Sequence, residues 1–134
     1  MFDPARVLRT LARHGVAFVL IGGLAAVAHG SPLPTTDVDI TPERTPDNLQ
    51  RLARALTELD ARIRTSDEHG VVFPITGEFL DAQPHMLNLT TDAGDVDLTF
   101  TPAAFASGYP SLVERSVTLE LGDDAHHLHA HASC

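Results

Sequence analysis

Two aspartates separated by one residue are the strongest candidates for chemistry in this sequence. Asp37 and Asp39 belong to the segment Asp37-Val38-Asp39-Ile40, whose alternation of acidic and apolar residues is typical of a β-strand. Residues i and i+2 of a strand point to the same face, so the two carboxylates lie about 7 Å apart on one side. Carboxylates placed in this way suit a divalent cation. The simpler interpretation is an acidic, solvated strand face.

A glycine pair precedes the two aspartates. Gly22-Gly23 ends the apolar and β-branched run from Val16 to Ile21, which is typical of a buried strand. The small residues from Leu24 to His29 favour a short helix that Gly30 ends. Backbone N–H groups at a helix N-terminus bind phosphate, and glycine lets a ligand approach closely. The glycine pair therefore either binds phosphate beside the cation site or forms an ordinary turn.

Two further aspartates belong to a hairpin later in the chain. Residues His85 to Thr90 alternate as a strand, and the segment Thr91 to Gly94 is a turn. Asp95 to Phe100 form the return strand. Asp95 and Asp97 share one face of it, and taken alone they are equally well interpreted as exposed acids of a hairpin.

The remaining patterns predict the elements that position these residues. A helix opens at Asp3-Pro4 and ends at Gly15, and a second helix runs from Pro46 to about Leu59 behind the cap residue Thr45. A short strand is predicted over Ala61 to Arg64 and another over Ser116 to Leu121. The segment from Thr65 to Gln83 is expected to be a loop with one short strand or turn. Together these elements predict an α/β (α+β) fold with a mixed sheet and helices packed mainly on one face.

Composition restricts the partners. The chain has 134 residues, enough for one core, and a net charge of −9 with nine arginines and no lysine. An acidic chain does not attract nucleic acid as a whole, so DNA is not expected and RNA would have to meet a local arginine patch. The apolar stretch from Val16 to Ala28 is too short to span a membrane, and no signal peptide is recognised. Cys134 is the single cysteine. These features predict a cytoplasmic protein.

The ordered motifs resemble those of a known superfamily. Gly22-Gly23, then Thr35-Thr36-Asp37-Val38-Asp39-Ile40, then a lone carboxylate on a later strand resemble the core motif of the nucleotidyltransferases with a DNA polymerase β-like fold. Within that superfamily, the chain is most similar to the small prokaryotic branch of minimal and toxin-like nucleotidyltransferases. The resemblance covers residues 4–121.

The resemblance implies a metal-dependent transfer of a nucleoside monophosphate from an NTP, such as ATP, to a hydroxyl. Asp37 and Asp39 would bind two Mg²⁺ or Mn²⁺ ions. Asp97, with Asp95 as the alternate, would bind the catalytic ion and help deprotonate the attacking hydroxyl. Gly22, Gly23 and Thr35 would contact the nucleotide, although Thr35 is equally well interpreted as a plain loop residue.

The implied partners are an NTP and an acceptor. The acceptor would be a tRNA end, a protein or a small molecule. Because some members of the branch are toxins, an antitoxin-like protein is a further implied partner.

The C-terminal residues depart from this pattern. Residues 122–134, GDDAHHLHAHASC, have no core pattern, and we expect a disordered tail after a domain over residues 1–121. Their bunched histidines are poorly spaced for a closed zinc site. Related enzymes continue into a ligand-facing helical segment. Two alternatives therefore stay open: a truncated or degenerate nucleotide-binding or interaction module without turnover, and a half that another chain completes.

Overall fold

The computed structural model describes residues 3–21, 37–66, 69–83, 85–100, 116–120 and 129–133. The described helices are α1 (Pro4–Arg13), α2 (Pro46–Glu58) and α3 (Gly77–Asp81). The described strands are β1 (Phe18–Ile21), β2 (Asp37–Pro42), β3 (Arg62–Ile63), β4 (Met86–Thr91), β5 (Gly94–Thr99), β6 (Ser116–Glu120) and β7 (His129–Ser133). They form one sheet in the order β3-β4-β5-β2-β1-β7-β6. None of the described helices has the length and apolar character needed to cross a membrane.

The sheet is mixed, as the sequence predicts. β2 runs parallel to β5 and antiparallel to β1, while β7 runs parallel to β1 and antiparallel to β6. β4 and β5 form the predicted hairpin, in which Thr91 pairs with Gly94 across a two-residue turn. Gly94 has a φ of +116°, a conformation that favours glycine.

One face of the sheet carries the hydrophobic core. Apolar residues of β2 and β5 alternate with the aspartates and therefore point to the opposite side. They pack in one buried cluster with the apolar stripes of α1 and α2, which confirms that the described helices lie on one face. The main contributors are Val7, Leu8, Leu11, Phe18, Leu20, Val38, Ile40, Leu49, Leu52, Leu56, Val96 and Leu98.

The predicted starts of α1 and α2 are present, and the short helix predicted over Leu24 to His29 lies outside the described residues. The Asp3 carboxylate accepts a hydrogen bond from the Arg6 N–H at 3.1 Å, and the Thr45 hydroxyl accepts one from the Asn48 N–H at 3.4 Å. The structure adds α3, which falls in the segment predicted to be a loop. Its cap, Thr76, accepts a hydrogen bond from the Phe79 N–H at 3.1 Å. A helix of five residues is too short to show a helical period in the sequence.

The described C-terminal residues differ from the expected disordered tail. Residues 129–133 form β7, which lies between β1 and β6 and adds backbone pairs such as Val19 with His131. Strand pairing satisfies backbone N–H and C=O groups and does not require a core pattern of apolar side chains. Residues 122–128 and Cys134 lie outside the described part of the chain.

A buried asparagine joins α2 to the sheet. The Asn48 side chain is fully buried. Its carbonyl oxygen accepts from the Ala17 N–H at 2.7 Å, and its amide donates to the Ala17 and Glu43 carbonyls at 3.0 and 2.7 Å. Ala17 immediately precedes β1 and Glu43 immediately follows β2. One side chain therefore fixes the adjoining ends of both strands against the helix.

We expect Asn48→Ala to lower the free energy of unfolding by about 3 kcal/mol, because it leaves a cavity and removes the partners of the part-buried Ala17 N–H and Glu43 C=O. Urea denaturation should show a lower midpoint and an unchanged slope. Arg54→Ala, at an exposed position of the same helix, is the control and should change stability by no more than about 0.5 kcal/mol. A loss below about 1 kcal/mol for Asn48→Ala would contradict this role.

Candidate metal centre

Two neighbouring strands bring the candidate carboxylates together. β2 and β5 are parallel and in register, so that Asp37 pairs with Asp95 and Asp39 pairs with Asp97. Residues directly opposite each other on paired strands share a face. All four aspartates therefore lie on the face opposite the core and the described helices.

Three of the four form a compact group, here called the acidic cluster: Asp37, Asp39 and Asp97. Each offers one carboxylate oxygen, and these oxygens all lie within 4.8 Å of one another. Asp97 is buried, and the other two are partly buried. The structure thus brings together the three residues that the sequence analysis selected as metal ligands. Asp95, the alternate, is not a member; its carboxylate lies 3.6 Å from the Arg64 Nε.

The donor set of the acidic cluster fits a hard divalent cation. It consists of carboxylate oxygens alone, which are the ligands that Mg²⁺ and Mn²⁺ prefer over nitrogen and sulfur. Three carboxylates from two adjacent strands also leave coordination positions for the oxygens of a substrate. The arrangement can therefore hold a metal ion against a phosphate.

Burial and mutual proximity make the acidic cluster favour protons in the absence of a cation. Burial raises the pKa of Asp39 to about 7, with the hydrogen bond to Asp97 and the charge of Asp37 acting in the same direction. The hydrogen bond with Asp97 raises the pKa of Asp37, and burial adds to the effect. Arg64 opposes both shifts. A divalent cation would replace these protons, since it stabilises the ionised carboxylates.

The sequence analysis missed one residue of this centre, Arg64. Its Nη2 lies 2.5 Å from Asp97 Oδ1 and donates to the Leu89 carbonyl at 2.9 Å. The local signal was the alternation Arg62-Ile63-Arg64, which places both arginines on one face of a short strand. The sequence does not show that this strand lies two strands away from Asp97, because that neighbourhood is created by the fold.

The predicted nucleotide contacts Gly22, Gly23 and Thr35 lie outside the described residues. Ile21, the residue before Gly22, is the register partner of Asp39.

Comparisons with known proteins agree with the fold. No protein-family model matches the chain. No curated protein matches it in sequence either. Among solved structures, the chain is similar to a "putative nucleotidyltransferase" from Thermotoga maritima, with a TM-score of 0.52 and 16 % identity over 98 % of this chain and 80 % of that one. At this identity the similarity shows the fold alone, which is nucleotidyltransferase-like, as the resemblance implies.

The raised pKa of Asp39 has a defined effect on stability. Its folded-state pKa of about 7 exceeds the ordinary aspartate pKa of 3.8, so the folded protein retains a proton that the unfolded chain loses between these pH values. We therefore expect the metal-free wild type to lose stability relative to Asp39→Asn as pH rises from about 4 to about 7. Chemical denaturation across this range, with a chelator present, measures the difference.

Above pH 7 the Asp39→Asn variant should be the more stable protein in the absence of metal. Excess Mn²⁺ should make the wild type the more stable of the two, because the cation binds the folded wild type with its three carboxylates and not the variant. If the difference in unfolding free energy between the wild type and Asp39→Asn does not change with pH, the pKa of Asp39 is not raised in the folded protein.

Proposed function

We propose that this chain is a metal-dependent nucleotidyltransferase. The observation that carries the proposal is the acidic cluster, three carboxylates within 4.8 Å on two parallel strands in register. Its occurrence in a nucleotidyltransferase-like fold supports the same interpretation. Asp37 and Asp39 would hold two divalent ions, and Asp97 would share the ion next to the attacking oxygen.

In the proposed reaction, the oxygen of an acceptor hydroxyl attacks the α-phosphorus of an NTP. A new O–P bond forms, the bond from the α-phosphorus to the bridging oxygen breaks, and pyrophosphate leaves with the electron pair of that bond. The hydroxyl proton passes to a carboxylate oxygen of Asp97, which is the role that the resemblance assigns to it. When bound, Mg²⁺ or Mn²⁺ would neutralise charge on the phosphates and lower the pKa of the hydroxyl.

The register around the acidic cluster supports a nucleotide site next to it. Ile21, which immediately precedes Gly22 in the sequence, is the register partner of Asp39. We therefore propose that Gly22 and Gly23 offer backbone N–H groups to the nucleotide phosphates and that Thr35 helps to position them. The proposed acceptor is a hydroxyl of RNA, a protein or a small molecule, and a toxin-like role with an antitoxin-like partner is the corresponding biological proposal.

We expect the chain to transfer label from α-labelled NTPs to an acceptor in total RNA or cell lysate when Mg²⁺ or Mn²⁺ is present. Asp97→Asn should lower the rate at least about 100-fold, since it removes a metal ligand and the proton acceptor. Labelled products can be separated by gel electrophoresis before and after nuclease or protease treatment, which identifies the acceptor class.

The matched control is Asp92→Asn, in the turn of the same hairpin but outside the acidic cluster. It should label as the wild type does. Metal and NTP binding without transfer to any acceptor would instead indicate a nucleotide-binding module without turnover. Labelling that persists in Asp97→Asn would exclude the proposed centre.

A further inference from the structure

Arg64 reaches the acidic cluster from a distant strand. It immediately follows β3, the strand at one edge of the sheet. Its backbone N–H donates to the Asn88 carbonyl of β4 at 3.0 Å. Asn88 is in turn the register partner of Asp97 on β5. The Arg64 side chain therefore crosses β4 to place Nη2 at 2.5 Å from Asp97 Oδ1.

The Arg64 guanidinium is held at several points. Nη2 also donates to the Leu89 carbonyl at 2.9 Å, and the buried Nε lies 3.6 Å from Asp95 Oδ2. About 30 % of the side chain is exposed. Oxygens from two strands thus fix its position, and a guanidinium fixed in this way makes a directional, charge-assisted hydrogen bond to Asp97.

This bond acts on the most buried carboxylate of the acidic cluster. Asp97 is hydrogen-bonded to both Asp37 and Asp39, and its negative charge repels theirs. Arg64 holds one oxygen of Asp97 and partly compensates its charge. The carboxylate is consequently kept beside Asp37 and Asp39 before any cation arrives.

We propose that Arg64 is a positioning residue of the metal centre, which holds Asp97 in the orientation that the cation requires. This inference rests on the proposed function, because it needs the acidic cluster to bind a divalent ion. Residues that hydrogen-bond to metal ligands commonly change metal affinity 10- to 100-fold when they are removed. The competing interpretation is an ion pair that only attaches β3 to the sheet.

The chain contains a matched control two residues away. Arg62 lies in β3 and shares its face with Arg64, and its Nη2 is 3.9 Å from the Asp92 carboxylate, outside the acidic cluster. Arg62→Met removes the same positive charge two residues away from Arg64. It therefore shows whether a change in Mn²⁺ affinity comes from losing an ion pair at the sheet edge or from losing the contact between Arg64 and Asp97.

The test measures Mn²⁺ binding by calorimetry and electron paramagnetic resonance for the wild type and the variants R64M, R64K and R62M, with thermal denaturation as the check on folding. We expect R64M to bind Mn²⁺ about 10- to 100-fold more weakly. R64K should recover part of the loss, because an ammonium can bond one oxygen but lacks the planar fork. R62M should stay within about twofold of the wild type.

Several results would overturn the proposal. R64M that binds Mn²⁺ as tightly as the wild type, or more tightly, would show that the guanidinium does not position a ligand. Equal losses of Mn²⁺ affinity in R62M and R64M would show that the ion pairs of the sheet edge, and not the contact with Asp97, cause the effect. If R64M does not fold, R64K decides, and wild-type affinity in R64K overturns the proposal. If the wild type does not bind Mn²⁺, the proposed metal centre itself is wrong. If the wild type binds Mn²⁺ and R64M binds it equally well, only the proposed role of Arg64 is wrong.

Discussion

The alternation of side chains along β2 and β5 is the constraint on which the rest of the structure depends. Val38 and Ile40 on β2, with Val96 and Leu98 on β5, are fully buried against the helices. The aspartates between them must then project from the other face. A slip of one residue in either strand would place carboxylates in the core and apolar side chains outside it. Burial of the apolar face therefore also fixes the acidic cluster.

The same arrangement concentrates the negative charges of three partly or fully buried carboxylates in the acidic cluster. Apolar burial supplies the free energy that keeps the strands in register despite this repulsion. Protons and the Arg64 guanidinium relieve part of it, as the raised pKa of Asp39 and the short contact to Asp97 show. The carboxylates are consequently preorganised before a ligand is present. Binding of a cation therefore needs less ordering of these side chains.

Local patterns predicted the parts of the fold that local interactions determine. The caps of α1 and α2 and the β4–β5 hairpin could be predicted because each depends on residues close in sequence. The pairing of β2 with β5 placed Asp39 beside Asp97, but that proximity was inferred from a resemblance and not from the residues. Neither Arg64 nor β7 carried a sufficient signal. Arg64 acquires its role from the order of strands, and β7 is stabilised by backbone pairing, which leaves little trace in side-chain composition.

The position of β7 has a consequence for the order in which the protein assembles during synthesis. β1 leaves the ribosome before β7, yet one of its two partners in the sheet is formed by residues 129–133. Until those residues emerge, β1 can pair with β2 alone and presents an open edge. Contacts between segments so far apart in sequence form slowly, because a long intervening chain must be closed. The nascent protein is thus exposed to intermolecular strand pairing at β1, next to the strand that carries Asp37 and Asp39.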